Sequence, residues 1–109
     1  MKRGEIWTVA GGSDYTGKPR PAVIVQHDDY DSTSSVTICP LTSETHAAPR
    51  TRPLLRPNSV NGLREPSRVM VDKLSTVRTE RIGTRIGHLN DERIAALDRS
   101  LVRFLGLTA

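Results

Sequence analysis

A cation on a stiffened backbone is the first feature of this sequence that could do chemistry. The segment Lys18-Pro19-Arg20-Pro21 places Arg20 between two prolines, and a residue that precedes proline avoids the α region. The apolar run Ala22-Val23-Ile24-Val25 follows and predicts a strand covered on both faces. The pattern therefore predicts an extended Arg20 at the mouth of a buried strand, behind a glycine-rich loop. An ordinary surface arginine is the alternative.

A pair of hydroxyls ends the next predicted strand. Ser35–Leu41 alternates apolar and polar residues and is followed by Thr42 and Ser43. A hydroxyl at a strand end can donate a hydrogen bond to an anionic oxygen, as site residues on loops often do. It can equally bond to the local backbone and close the strand in a turn. Both interpretations remain open on these residues alone.

Length and cysteine content restrict the class of protein. The chain has 109 residues with Cys39 as its one cysteine, so an internal disulfide or a cysteine-based zinc site is not expected. Next to Pro40, Cys39 is predicted to be a small buried hydrophobe. No apolar run reaches the roughly 18 residues of a membrane helix, and no apolar stretch follows the charged N-terminus. We therefore expect one cytoplasmic, metal-free domain spanning residues 1–109.

The charge balance is equally compatible with a phosphate-rich binding partner and with an ordinary basic surface. The net charge is +4, and arginine outnumbers lysine; its planar guanidinium matches phosphate with paired donors. Eight arginines and one lysine lie between Arg50 and Arg85, against three acidic residues. If these cations share a face they form a groove that follows phosphates. If they alternate across strands they are ordinary solvated edges.

The hydropathy pattern predicts a mainly β fold with a C-terminal α-helix. The helix is bounded by an Asn90 cap and by Gly106, and its apolar residues follow the helical period. Trp7 is predicted to pack in the core or in a dimer interface. The predicted strands form a small, strongly bent sheet or barrel and cover Gly4–Ala10, Arg20–Gln26, Ser35–Leu41, Arg52–Arg56, Ser67–Asp72 and Ile82–Leu89.

Four segments in order, followed by the capped helix, resemble the MazF/PemK toxins of bacterial toxin–antitoxin systems. They are Gly4-Glu5-Ile6-Trp7, Arg20-Pro21-Ala22-Val23-Ile24-Val25, Pro40-Leu41-Thr42-Ser43 and Val71-Asp72-Lys73. The resemblance covers essentially the whole chain. It implies an SH3-like barrel of the MazF/CcdB plasmid-maintenance-toxin type that forms a homodimer. It also implies a metal-independent, cofactor-free, sequence-specific endoribonuclease that cuts single-stranded messenger RNA and is inhibited by an acidic antitoxin.

The resemblance also assigns candidate roles to individual residues. Arg20 and Thr42 are the implied catalytic pair, with the RNA 2′-OH as nucleophile. Arginine is effectively always protonated, so we interpret Arg20 chiefly as an electrostatic stabiliser rather than a base. Asp14 fits the acid that precedes the family's arginine only if one residue is inserted after Gly17. The other candidates are Ser43 in support of catalysis, and Lys18, Arg68 and Lys73 as RNA contacts.

Two other functions are compatible with the same fold. A CcdB-like branch poisons DNA gyrase without cutting nucleic acid, and an SH3-like module could bind nucleic acid or protein without catalysis. The Arg-Pro segment at Arg20 and the Pro-Leu-Thr-Ser segment at Thr42 occur together in this chain. Their joint occurrence favours the nuclease.

Overall fold

A curled antiparallel sheet followed by one helix makes up the fold. The computed structural model describes residues 1–11, 18–30, 34–46 and 52–107. The strands are β1 Glu5–Val9, β2 Arg20–Ile24, β3 Ser35–Thr42, β4 Leu54–Leu55, β5 Ser67–Val69, β6 Ser75–Arg78 and β7 Ile82–His88. The helix α1 spans Asp91–Leu105, and short 3-10 turns lie at Asp28–Tyr30, Val71–Lys73 and Thr79–Arg81. The predicted mainly β architecture with a C-terminal helix is confirmed.

Strand β3 is the centre of the sheet, whose order is β4-β5-β3-β2-β1-β7 with β6 also paired to β3. The first half of β3 pairs with β6, and its last two residues, Leu41 and Thr42, pair with β5. Pro40 lies between these two ladders, where its carbonyl accepts a hydrogen bond from the Met70 amide at 2.8 Å. A proline has no N–H to lose from a ladder, so it suits the position at which β3 changes partner.

The two faces of the sheet carry two separate apolar clusters. The first lies against the helix and includes Ile6, Val23 and Leu97, each 0% exposed. The second lies on the opposite face and includes Ala22 and Ile24, with Trp7 and Val9 packed against it. Ile6 and Trp7 of β1 therefore pack on opposite faces of the sheet, and the predicted packing role of Trp7 is confirmed.

The single cysteine, Cys39, is buried in the first cluster at 0% exposure. Burial raises the pKa of its thiol to about 12, since a low-dielectric interior disfavours the thiolate. The prediction of a small buried hydrophobe is confirmed.

The helix forms as its caps predict. The Asn90 side chain accepts a hydrogen bond from the Arg93 amide at 2.9 Å, which satisfies one of the unpaired donors of the first turn. Gly106 ends the helix in the left-handed region with φ +70°. Leu97 and Leu101 are buried, whereas Leu105 is half exposed, so the apolar stripe runs out onto the surface. Of the helices in the described ranges, none has the length and apolar character needed to cross a membrane.

The opening Gly-acid-aliphatic-aromatic segment has a structural role. Gly4 has φ +89°, and a Cβ there would lie 3.0 Å from Ile94 of the helix, so glycine lets the chain pass close to α1. Glu5 accepts a hydrogen bond from the Trp7 indole at 3.0 Å and pairs with Arg85 at 3.1 Å. The acid of this segment therefore links β1 to β7, and the aromatic bonds to that acid within β1.

Two predicted strands are shorter in the structure, and a third strand was not predicted. The strand predicted at Ser67–Asp72 ends at Val69, because Val71–Lys73 turns into a 3-10 conformation. The strand predicted at Arg52–Arg56 shrinks to Leu54–Leu55, since prolines at 53 and 57 lack the N–H that a longer ladder needs. Strand β6 was missed because only Val77 among its residues is apolar and buried, which leaves no alternating pattern to read.

Candidate functional site

Arg20 and Thr42 lie at the same end of the antiparallel β2–β3 pair. Arg20 is the first residue of β2 and Thr42 is the last residue of β3. The ladder pairs Ala22 with Pro40 and Ile24 with Ile38, and the same register continued by two residues sets Arg20 opposite Thr42. Directly opposite residues of an antiparallel pair lie on one face of the sheet. The two residues therefore share the open end of this hairpin, away from its connecting loop.

Thr42 closes β3 with a side-chain turn. Its Oγ1 accepts a hydrogen bond from the Glu44 amide at 3.1 Å, so the turn interpretation made from the sequence is confirmed. That bond uses an oxygen lone pair, and the hydroxyl hydrogen remains available as a donor. Ser43 follows on the exposed side of the same turn. The catalytic role of either hydroxyl stays a prediction.

Arg68 lies beside Thr42 but its guanidinium binds backbone. The β3–β5 ladder pairs Thr42 with Arg68. Arg68 Nε donates to the Thr45 carbonyl, and Nη1 donates to the Arg52 carbonyl, both at 2.8 Å. These two bonds turn its donors toward the chain that follows β3. Its assignment as an RNA contact stays a prediction, and this geometry offers a different role.

The later Val71-Asp72-Lys73 segment is joined to the same region by an ion pair. Arg52 Nε and Nη2 donate to Asp72 Oδ1 and Oδ2, each at 2.8 Å. The bonds from Arg52 hold the pKa of the Asp72 carboxyl below its usual range, against the opposing effect of burial. Lys73 follows on the exposed side of this turn, and Lys18 is exposed two residues before Arg20. Asp14, the candidate acid, lies outside the described residues.

The sequence and the fold have counterparts among known proteins. Residues 2–105 match the model of the PemK-like, MazF-like toxin of type II toxin-antitoxin system. The chain belongs to this toxin family. A Mycolicibacterium smegmatis protein named probable endoribonuclease MazF is 41% identical to it over 107 residues, which is 98% of each chain. The resemblance read from the four segments and the capped helix is therefore confirmed.

Solved structures give the same result for the fold of this toxin. The Mycobacterium tuberculosis toxin MazF-mt6 superposes with a TM-score of 0.79 at 25% identity, covering 96% of this chain and 99% of that one. An endoribonuclease in complex with its cognate antitoxin, from a mycobacterial species, superposes with a TM-score of 0.81 at 21% identity. That superposition covers 100% of this chain and 98% of that chain. The predicted MazF-type fold is thus confirmed.

Most of the arginines that the structure describes between residues 52 and 85 bond to acceptors within the chain. Arg78 pairs with Glu80 at 3.1 Å, and Arg81 Nε donates to the Ala10 carbonyl at 2.7 Å. Arg85 pairs with Glu5, as described above. With Arg52 and Arg68 also bonded to internal acceptors, these guanidiniums fit solvated strand edges better than one continuous groove. The sequence left both alternatives open because neither strand order nor acceptors can be read from arginine positions.

A titratable pair next to Thr42 was missed from the sequence. His46 Nε2 lies 2.9 Å from Glu44 Oε1, and both side chains are exposed. Glu44 is also the residue whose amide bonds to Thr42 Oγ1. The spacing Thr42, Glu44, His46 was the available signal. Within the ranges 1–11, 18–30, 34–46 and 52–107, no three His, Cys, Asp or Glu side chains group as metal ligands would.

Proposed function

We propose that this toxin is a metal-independent endoribonuclease that cuts single-stranded RNA, chiefly messenger RNA, at specific sequences. The observation that carries the proposal is the β2–β3 pairing, which puts Arg20 and Thr42 at the open end of one hairpin, in a register that aligns them when it is continued two residues past the Ala22–Pro40 pair. Family membership supports it, as does the name probable endoribonuclease MazF of the relative that is 41% identical.

The proposed reaction takes its nucleophile from the substrate. The RNA 2′-OH attacks the adjacent phosphorus and loses its proton, while the bond from phosphorus to the 5′ oxygen breaks and that oxygen gains a proton. The products are a 2′,3′-cyclic phosphate and a free 5′-OH. The protein then needs neither a covalent intermediate nor a thiol. This suits a chain in which Cys39 is 0% exposed with a thiol pKa of about 12.

Arg20 and Thr42 have complementary roles in this reaction. Charge accumulates on the non-bridging oxygens as the phosphorane forms, and Arg20 stabilises it with a permanent positive charge and paired donors. The Thr42 hydroxyl donates a further hydrogen bond with the hydrogen that its turn bond leaves available. A preorganised donor of this kind is worth about 3–4 kcal/mol, or roughly 100- to 1000-fold in rate.

The remaining candidates act around this pair. Lys18 and Lys73 are exposed cations and serve as phosphate contacts, while Ser43 and Asp14 support the reaction. The partners are a second copy of the chain and an acidic antitoxin, in the cytoplasm. The chain's +4 charge favours both RNA and an acidic protein. An endoribonuclease whose fold is similar to that of this chain has been solved in complex with its cognate antitoxin.

The test is cleavage of a long single-stranded RNA by purified protein in excess EDTA. Arg20→Ala and Thr42→Val are compared with two matched controls, Arg78→Ala and Thr37→Val. Arg78 is an exposed arginine that pairs with Ser35, the first residue of β3, whereas Thr42 is the last residue of that strand. Thr37 lies on β3 itself, with its hydroxyl 2.7 Å from that of Thr76. The controls therefore remove the same chemical groups outside the proposed site.

We expect discrete cuts with cyclic-phosphate ends from the wild type and both controls. The Arg20 and Thr42 variants should lose about 100-fold or more in rate. Equal cutting by all five proteins would place the activity elsewhere. Intact RNA with the wild type would overturn the nuclease, and inhibition of DNA gyrase or RNA binding without cleavage would then identify which alternative holds.

A further inference from the structure

We propose that Arg68 is a positioning residue that orients the Thr42 hydroxyl by clamping the backbone at Thr45 and Arg52. The inference rests on the proposed ribonuclease function and goes beyond it, because it assigns Arg68 to the organisation of the site. It also replaces the earlier expectation that Arg68 contacts RNA.

Arg68 and Thr42 are direct neighbours on adjacent strands. The two residues are paired across the β3–β5 ladder, so their side chains leave the sheet on the same face. The Arg68 guanidinium does not extend into solvent, since Nε bonds to the Thr45 carbonyl and Nη1 to the Arg52 carbonyl at 2.8 Å each. Charge-assisted bonds from a planar guanidinium fix direction as well as distance.

The bond from Arg68 to the Thr45 carbonyl holds the turn that follows β3. The Thr42 side chain is oriented by the Glu44 amide, at 3.1 Å from Oγ1. The next residue, Thr45, is the one whose carbonyl Arg68 holds. The bonds therefore run from Arg68 through Thr45 and Glu44 to the hydroxyl of Thr42. Without Arg68 this turn loses the hydrogen bond to its Thr45 carbonyl, and the Thr42 hydroxyl is no longer held in one orientation.

Arg52, whose carbonyl is the second acceptor of Arg68, is itself held by an ion pair. Arg52 gives its carbonyl to Arg68 and its guanidinium to Asp72, through two bonds of 2.8 Å. The side chains of Arg52 and Asp72 are only 15% and 27% exposed. Arg68 therefore bonds to a segment that is itself held in place by the 3-10 turn at Val71–Lys73.

A positioning residue and a phosphate contact differ in what they change. Loss of a phosphate contact weakens RNA binding and lowers the slope of log K against log salt by about 0.7 for a single strand. Loss of a positioning residue leaves the affinity for RNA and the salt dependence of that affinity unchanged. It slows the chemical step, because a displacement of about 1 Å at a reacting group can cost roughly 100-fold.

The experiment uses Arg68→Met and Arg68→Lys, with Arg64→Met as the control that removes one exposed arginine. Single-turnover cleavage is measured with RNA, and binding with the same RNA carrying 2′-deoxyribose at the cut site, over about 50–200 mM salt. The deoxy probe lacks the nucleophile, so it reports binding alone. Arg68→Met is also combined with Thr42→Val, and thermal unfolding shows which variants are folded.

We expect Arg68→Met to slow cleavage by about 10- to 100-fold with unchanged binding and salt slope. Arg68→Lys should recover part of the rate, since its ammonium can reach one carbonyl. In the Thr42→Val background, loss of Arg68 should cost less than about 2-fold, because residues that act as a unit are not additive.

A lowered salt slope, a fully additive double variant, or an unchanged rate in Arg68→Met would each overturn the proposal. If Arg68→Met is not folded, Arg68→Lys alone decides, because it keeps the charge and loses one of the two clamp bonds. Failure of the nuclease itself is separate and visible, since wild-type protein would then leave RNA intact. Cleavage that depends on Thr42 but not on Arg68 would reject only this inference.

Discussion

Arg52 and Asp72 form a two-bond ion pair, with Nε–Oδ1 and Nη2–Oδ2 distances of 2.8 Å, that joins the backbone before β4 to the 3-10 turn after β5. The bonds from Arg52 lower the pKa of Asp72 and raise the pKa of Arg52. The pair explains why an aspartate follows Val71 in the segment that resembles the toxin family. Asp72 is structural, whereas its neighbour Lys73 is exposed.

We expect Asp72→Asn to lower the free energy of unfolding at pH 7 by about 1–3 kcal/mol, because it removes a charge-assisted pair of bonds. A carboxyl whose folded pKa is depressed stabilises the fold above its unfolded pKa, about 3.9, and this contribution disappears as the pH falls through the folded pKa. The difference between variant and wild type should therefore shrink below about pH 4. Urea unfolding at several pH values measures it.

Glu65→Gln is the control for this prediction, since Glu65 is an exposed carboxylate next to β5. Its effect should stay within about 0.5 kcal/mol. A deficit in Asp72→Asn that is the same at pH 3 and pH 7 would show that the carboxylate charge does not matter.

The proposed role of Arg20 as an electrostatic stabiliser predicts how activity depends on pH. Arginine stays protonated throughout the accessible range, so the ratio of wild-type to Arg20→Ala rates should be constant between about pH 6 and 10. Arg20→Lys should retain a small part of the rate, because a lysine keeps the charge but not the planar donors. Single-turnover cleavage across this range measures both. A ratio that rises tenfold per pH unit would instead identify Arg20 as a base.

The burial of Cys39 predicts a thiol that is inert in the native protein. The residue is 0% exposed and its pKa is raised to about 12, so both access and thiolate content are low. We expect a thiol reagent at pH 8 to label the folded protein at least about 100-fold more slowly than the protein in denaturant. Cys39→Ala should remain an active ribonuclease and abolish the label. Rapid native labelling would contradict the buried position of Cys39 in β3.

Local sequence patterns were sufficient to predict the secondary structure wherever a segment determines its own conformation. The Asn90 cap, the apolar period and Gly106 define α1 without any other part of the chain, and the alternation of β1 places Ile6 and Trp7 on opposite faces. Strand β6 was missed because its stability comes from pairing with β3, including the 2.7 Å contact between the Thr37 and Thr76 hydroxyls. A polar strand with one buried residue has no periodic signal of its own.

The sequence by itself determined the strands around Arg20 and Thr42, the capped helix, the family and the two residues to test first. These depend on side-chain periodicity, proline and glycine positions, and short ordered motifs. Only the tertiary structure decided that the β2–β3 pairing puts Arg20 and Thr42 at the same end of one hairpin, and that Arg68 and Arg52 bind acceptors inside the chain. The physical reason is that an arginine's partners are carbonyls and carboxylates from other segments. The positions of these acceptors are set by strand pairing and not by the residues that neighbour the arginine in the sequence.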